Sequence, residues 1–327
     1  MNAPPSQDDS RQYNALRRGA ALVAFADRGE IAFRGADGAS FLHNFCTNDI
    51  KGLAEGQGCE AFFCNLQGKI LGHAFLFREE GGVALDTVAG ECQKLADHLD
   101  RYLIREDVAI EIRSDDVAKL LLCGEGALEL LRGLTGASLA DELYRQQRAT
   151  IDEIDLRIRC LPYVEPRAYC LVVEAALQQP LRERLVAAGA VECSRDILDA
   201  ARIESGTPLY GTDISDANLP QEVGRDEQAI SFHKGCYLGQ ETVARIDALG
   251  HVNRQLVGVR LEGESAPAAG AELTFEGEAV GRVTSASWSP ALAAVLALGY
   301  VKTRHADPGT VLACGDAMGE VVALPVG

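Results

Sequence analysis

Apolar and polar residues alternate in short runs through the first third of the chain. ALVAF at 21–25 and EIAFRG at 30–35 flank a DRG turn and predict a pair of strands. A helix capped by Asp37 is expected next, with Phe41, Leu42 and Phe45 on one face. CEAFFCNLQGKILGHAFLF has two hydrophobic runs about NLQGK and predicts a hairpin; residues 91–104 then carry helical periodicity ahead of a strand in DVAIEIR. A second group follows: strands in LRIRCLP and AYCLVVE, a helix in LQQPLRERLVAAG, a short strand in AVEC, and a helix in SRDILDAARIESG that Gly206 can end. Past residue 250 the pattern changes. RQLVGVRLEG, AELTFEG, EAVGRVTSAS and AVLALGYV are short strands broken by Gly and Pro, which predict a small β-barrel or sandwich. The first dozen residues are expected to fray.

At 327 residues, two or three domains with a sizeable apolar interior are the natural expectation. A hydrophobic fraction of 47% with 24% charged residues describes a globular chain, and no apolar run reaches the roughly 18 residues of a membrane span. The polar, acidic opening MNAPPSQDDSRQYN is unlike an export signal, so the expected location is cytoplasmic, without a membrane partner. Ten cysteines without a CxxC pair suggest reduced thiols rather than a disulfide framework. Cys59 and Cys64 come closest to pairing, but on a strand they fall on opposite faces, and no resident metal site is expected. A formal charge of −17 argues against direct nucleic-acid binding, and any anionic ligand must find a local patch of Arg and Lys.

The chemistry concentrates in KGCYLGQE, residues 234–241. An ammonium near a thiol raises its thiolate fraction, so Lys234 and Cys236 form a candidate reactive pair, provided the backbone turns one toward the other. Positions two apart share a face in a strand and diverge in a helix, which leaves that contact open. Gly235 and Gly239 permit positive φ or the close approach of a ligand. The alternative is a surface turn leading into an amphipathic helix, with Gln240 and Glu241 in its first turn. His233 adds a possible proton carrier.

Over about Phe25 to Leu312 the chain carries FLHNFCTNDI, GKILGHAFLF, ARIESGTPLYGTDI, KGCYLGQETVARI, NRQLVG, GRVTSASWSP and ALGYV in that order. The set resembles the YgfZ branch of the glycine-cleavage T-protein (GcvT-like) superfamily of folate-binding proteins. The resemblance implies three domains around a central opening: a discontinuous folate-binding α+β domain at 1–49 and 114–249, an inserted α+β domain at 50–113, both ferredoxin-like, and a β-barrel at 250–327. The implied cofactor is tetrahydrofolate or a derivative, and the implied partners are iron-sulfur client enzymes.

On this resemblance Glu204, in ARIESG, is the candidate to accept the paired donors of a pterin edge, its alternative being a solvated charge near a helix end. Arg202 is expected to pair with a neighbouring carboxylate. Arg245 and Arg254 are candidates for the glutamyl tail, where an Arg fork suits a carboxylate. Asn48 and Asp49 border the implied opening or simply close a turn by Asx hydrogen bonds, and Tyr210 stacks on a ring or covers the core. Gln240 completes the candidate set. One departure matters: Gly72 and His73 stand where the family's aminomethyltransferases carry acids, so the general acid/base role lacks its carboxylates. A lone His in an apolar strand is more often structural than a proton shuttle. The expected function is a folate-binding accessory protein for iron-sulfur cluster assembly or repair, tied indirectly to tRNA modification; the alternative is a folate-dependent aminomethyltransferase or demethylase. A single signature cysteine supplies only one of the four thiolates that a cubane cluster normally takes, so any cluster contact is transient.

Overall fold

The computed structural model describes every residue except Asn2 and Gly327. Its elements run α1 (Gln7–Arg18), β1 (Ala21–Ala24), β2 (Arg28–Arg34), α2 (Gly38–His43), β3 (Gly58–Cys64), β4 (Ile70–Glu79), β5 (Gly82–Val88), α3 (Cys92–Asp100) and β6 (Ala109–Ile112). Then come β7 (Val117–Cys123), α4 (Ala127–Thr135), β8 (Gln146–Ile151), β9 (Ile154–Leu161), β10 (Ala168–Glu174), α5 (Gln178–Ala187), β11 (Val191–Glu192), α6 (Arg195–Glu204), α7 (Asp226–Ala229) and α8 (Gln240–Leu249). Six strands follow: β12 (Arg254–Leu261), β13 (Glu272–Phe275), β14 (Glu278–Ser289), β15 (Ala294–Lys302), β16 (Val311–Cys314) and β17 (Ala317–Val322).

These strands make three sheets. The first has the order β11-β1-β7-β10-β9-β8, the second β3-β4-β5-β2-β6, and β12-β15-β14-β13-β16-β17 close into a barrel. The α+β class and the C-terminal barrel expected from the alternation are what the chain forms. The predicted pairing of 21–25 with 30–35 is not. β1 lies between β7 and β11, whereas β2 lies between β5 and β6. Nearly every residue of β2 is buried, as befits an interior strand covered on both faces. The chain therefore passes from the first sheet to the second at Asp27, so β2 and α2 travel with 50–113 instead of with 1–49.

From Ser6 on, the opening segment does not fray either. Ser6 accepts from Asp9 N at 3.2 Å while Asp9 takes the Ser6 N–H at 2.9 Å, a reciprocal cap that starts α1. Ala15 and Leu16 of that helix join the core between the first sheet and α6.

Period-two alternation explains the layering. Ile31 and Phe33 of β2 point to α2 and α3, together with Leu76, Leu85 and Leu95. Leu120, Leu122, Leu171 and Val173 of the first sheet point the other way, to α4 and α5. Between the sheets, Phe75 and Phe77 pack on Leu121, Cys170 and Val172. Cys59 and Cys64 fall in different cores, as opposite faces of β3 require. The barrel is fastened to α6 by Ile203 against Leu296, Leu298 and Val326.

Charged residues also fill the space between the sheets. Asp86 is paired with Arg28 at 2.7 Å, with Arg159 at 3.5 Å and with Lys119, all buried. Arg157 bridges Glu30 at 2.9 Å and Glu79 at 2.7 Å, and Arg159 reaches Glu30 at 2.8 Å. Burial pushes the carboxyls of Glu30, Glu79 and Asp86 up, but the surrounding cations outweigh it and hold each below its ordinary value. Buried charges of this kind are tolerated only when paired.

Candidate functional site

The signature block sits where the second sheet meets the segment entering α8. Gly239, at φ +84°, precedes the first residue of α8, and a Cβ there would stand 2.5 Å from Asn65 O in the β3–β4 turn. In the opposite direction, a Cβ on Gly68 of that turn would come within 2.7 Å of Thr242 Cβ. The two glycines let turn and helix touch through their backbones. Gly235 needs no such licence, because open space surrounds it.

Backbone bonds fix the rest of the loop to the segment after α2. Leu238 N donates to Asn44 O at 3.0 Å and Ser231 N to Thr47 O at 2.9 Å. The ammonium of Lys234 donates to three carbonyls, those of His43, Cys46 (2.7 Å) and Asn48 (2.8 Å), and lies 4.9 Å from the Tyr237 ring centroid. Burial lowers its pKa. All three of its donors are spent on the main chain, so the contact with the Cys236 thiol that the sequence left open is not made, and the ammonium anchors the loop.

Cys236 itself faces solvent beside exposed His233 and Phe232. Eight other cysteines are buried and Cys193 is half-buried; burial pushes Cys46 and Cys59 up and takes Cys64, Cys160 and Cys170 to about 12. Cys236 is thus the one exposed cysteine among the described residues.

Glu204 is not a solvated charge, nor does it offer a free edge. Its carboxylate is fully buried and accepts from Tyr13 Oη at 2.6 Å, Ser289 Oγ at 2.6 Å and Ala291 N at 3.1 Å, tying α1, α6 and the barrel together. Arg202 is buried against Asp213 at 2.9 Å and Asp199 at 3.0 Å, as expected of a structural pair. Asn48 donates to Glu60 O and Gln228 O, both at 2.9 Å, and Asp49 accepts from Gly52 N and pairs with His43 Nδ1 at 3.1 Å, which is the turn-closing alternative. Tyr210 is buried with Phe62, Ile70 and Tyr237, its hydroxyl 3.1 Å from Lys94 Nζ. Arg254 pairs with Glu222 at 3.0 Å and stacks on Tyr300. Arg245 is exposed and Gln240 half-buried on α8. The structure thus gathers Asn48, Lys234 and Gln240 about the loop, while Glu204 stands apart at the junction with the barrel.

Sequence reasoning missed the partners of His73. Its Nε2 lies 2.8 Å from Glu60 Oε1, and Glu60 is also clamped by both arms of Arg225 and by Tyr144 Oη at 3.1 Å. Burial pushes the Glu60 carboxyl up, yet Arg225 and the His73 hydrogen bond prevail and hold it well below the carboxylate range. Burial lowers His73, leaving a neutral imidazole. The signal was Glu60 itself, a charge inside CEAFFC whose neighbours are all apolar.

Two stacked sheets with flanking helices, followed by a closed six-stranded barrel, define the class as a mixed α+β, GcvT-like fold. Residues 5–234 match the GCVT N-terminal domain and residues 254–326 the glycine cleavage T-protein C-terminal barrel domain, so the chain belongs to the glycine-cleavage T-protein family. It is 30% identical to an aminomethyltransferase of Streptomyces avermitilis over 96% of its own length and 88% of that protein. Identity to an aminomethyltransferase of Rubrobacter xylanophilus is 30% over 89% and 78%. The crystal structure of the glycine cleavage system aminomethyltransferase T from Bartonella henselae superposes with a TM-score of 0.86 at 21% identity, covering 97% of this chain and 89% of that one, a likeness of fold. GcvT-like aminomethyltransferases bind tetrahydrofolate. No helix among the described residues is long and apolar enough to cross a membrane.

Proposed function

We propose that this chain binds tetrahydrofolate or a derivative without performing aminomethyl transfer, and serves iron-sulfur enzymes as an accessory in cluster assembly or repair, as the YgfZ-like motif set implies. Any effect on tRNA modification is then indirect, through client enzymes. The observation that carries the reading is the replacement of the expected acids by Gly72 and His73, with the nearby carboxylate, Glu60, held ionised by Arg225. A carboxylate so clamped neither lends a proton to a folate amine nor swings to meet it.

Cys236 supports the accessory role because its sulfur faces solvent. After losing its proton to water, the thiolate would donate a lone pair to one iron of a passing cluster, as one ligand among several. Lys234 would serve this step by holding the loop. For folate the candidate contacts are those the motif resemblance offers, Asn48, Asp49, Tyr210, Gln240 and Arg254, with exposed Arg245 for the tail carboxylates. Glu204 reads the pterin in this scheme only by giving up Tyr13 on one oxygen and Ser289 and Ala291 N on the other.

Cys236→Ala is expected to lower the activity of a cluster-dependent client while calorimetry shows unchanged tetrahydrofolate affinity. Unaltered client activity would remove the thiol from the scheme. A second reading, folate-dependent aminomethyl or methyl transfer, draws on the 30% identity to proteins named aminomethyltransferase. Turnover of tetrahydrofolate with an aminomethyl or methylamine donor would establish that reading; none is expected.

A further inference from the structure

A cleft at the outer end of the two stacked sheets plays no part in the scheme above. It encloses about 460 Å³, within the usual size of a small-molecule site. Arg34 and Arg113, from the second sheet and the chain just past it, line one side, and Arg148 and Arg157 of β8 and β9 line the other. The carboxylates lining it are Glu79, Asp155 and Glu174. Of these, Asp155 already accepts from Thr150 at 2.7 Å and Glu79 is buried against Arg157.

Two independent observations distinguish this cleft from an ordinary charged surface. The register of β8 and β9 sets Arg148 directly across from Arg157, and like charges so opposed destabilise a sheet. Arg148 is exposed and makes no ion pair among the described residues. Arg34 reaches only Glu79, at 3.5 Å, and Arg113 only Asp116, at 3.8 Å, so both guanidinium groups are loosely held.

Behind the cleft the buried layer is itself rich in cations. Arg28, Lys119, Arg157 and Arg159 share only Glu30, Glu79 and Asp86. Both terminal nitrogens of Arg159 are buried and lack a well-aligned hydrogen bond, although they pair with Glu30, Glu79 and Asp86. In a chain of net charge −17, a surplus of cations in and behind one concave site runs against the average.

We propose that this cleft binds a small dicarboxylate, one carboxylate on Arg148, beside the Arg157 whose terminal nitrogens already hold Glu30 and Glu79, and the other directed to Arg34 and Arg113. A planar carboxylate matches the guanidinium fork. Guanidinium groups on two walls call for a ligand anionic at both ends, and the volume leaves room for a short carbon chain between them. Inorganic phosphate carries its charge on one centre and offers no second carboxylate.

The test is calorimetry on the full chain at low ionic strength with succinate, and with inorganic phosphate in parallel. Saturable succinate binding is expected, weakened about tenfold or more by Arg148→Gln and by Arg34→Gln, the effect of removing one charge-assisted contact. Arg245→Gln, distant in sequence and on α8, should leave succinate affinity unchanged. The proposal is overturned if succinate gives no saturable heat, if Arg148→Gln and Arg34→Gln bind as the parent does, if Arg245→Gln weakens binding as much as they do, or if phosphate binds as tightly as succinate.

Discussion

Glu60 and Arg225, 165 positions apart in sequence, meet as a two-armed ion pair whose carboxylate is wholly buried. The pair joins β3 to the segment before α7, and His73 and Tyr144 complete the carboxylate's contacts. Removing the cation alone leaves a buried charge without its counterpart. Arg225→Met is therefore expected to cost about 3–5 kcal/mol of stability. Chemical denaturation checks this, and Glu60→Gln with Arg225→Met together should recover part of the loss.

Acid should destabilise the fold in two stages. His73 is held below its ordinary value of 6.5 by burial, so below that pH the unfolded chain binds a proton that the folded chain does not, and stability falls as pH falls. His43 and His98 are shifted in the same direction, also chiefly by burial. Below about 4.5 the lowered carboxyls of Glu30, Glu60 and Glu79 add a steeper loss, since the unfolded chain protonates first. Thermal midpoints between pH 8 and pH 2 should show both limbs, and His73→Gln should make the upper one shallower.

Lys234 is predicted to matter for position rather than for thiol ionisation. Lys234→Met strands the carbonyls of His43, Cys46 and Asn48 and should cost about 2–3 kcal/mol. Hydrogen exchange should quicken at 44–48 and 231–238, while the pH dependence of Cys236 alkylation stays put. A shifted alkylation profile in an intact loop would restore Lys234 to the role the sequence suggested.

Gly239→Ala tests the contact between turn and helix. The left-handed φ alone costs about 1–3 kcal/mol, and the added methyl meets a backbone oxygen that cannot retreat without moving the β3–β4 turn. A fall in denaturant midpoint at unchanged m is expected. Gly235→Ala, in open space, should be nearly silent.

Sequence patterning made the barrel, the β3–β4 hairpin and α6 legible, because each has one face in a core and one outside it. It could not say that β1 and β2 part company, since adjacency in sequence carries no information about which sheet completes a strand's hydrogen bonds. Glu30, Asp86, Lys119 and Arg159 were equally opaque: charges in alternation suggest a solvent face, and here they face another sheet. The α1 helix lacks a broad apolar stripe, so its segment reads as one that frays, and only the folded contacts show the cap made by Ser6 and Asp9. Motif matching pointed to Glu204 and Lys234 but gave no account of Tyr13, Ser289 or the three carbonyls that occupy their polar atoms. Spacing shows which residues are present, and only the folded contacts show which are still free to react.

The loop bearing Cys236 is docked by main-chain bonds, by a lysine that turns inward and by two glycines, so its outward side chains carry no structural duty. Phe232, His233 and Cys236 can be exchanged while the scaffold beneath them persists. A lineage built this way can trade one surface chemistry for another at little risk to folding, because the exchangeable groups and the supporting framework are separate parts of the chain.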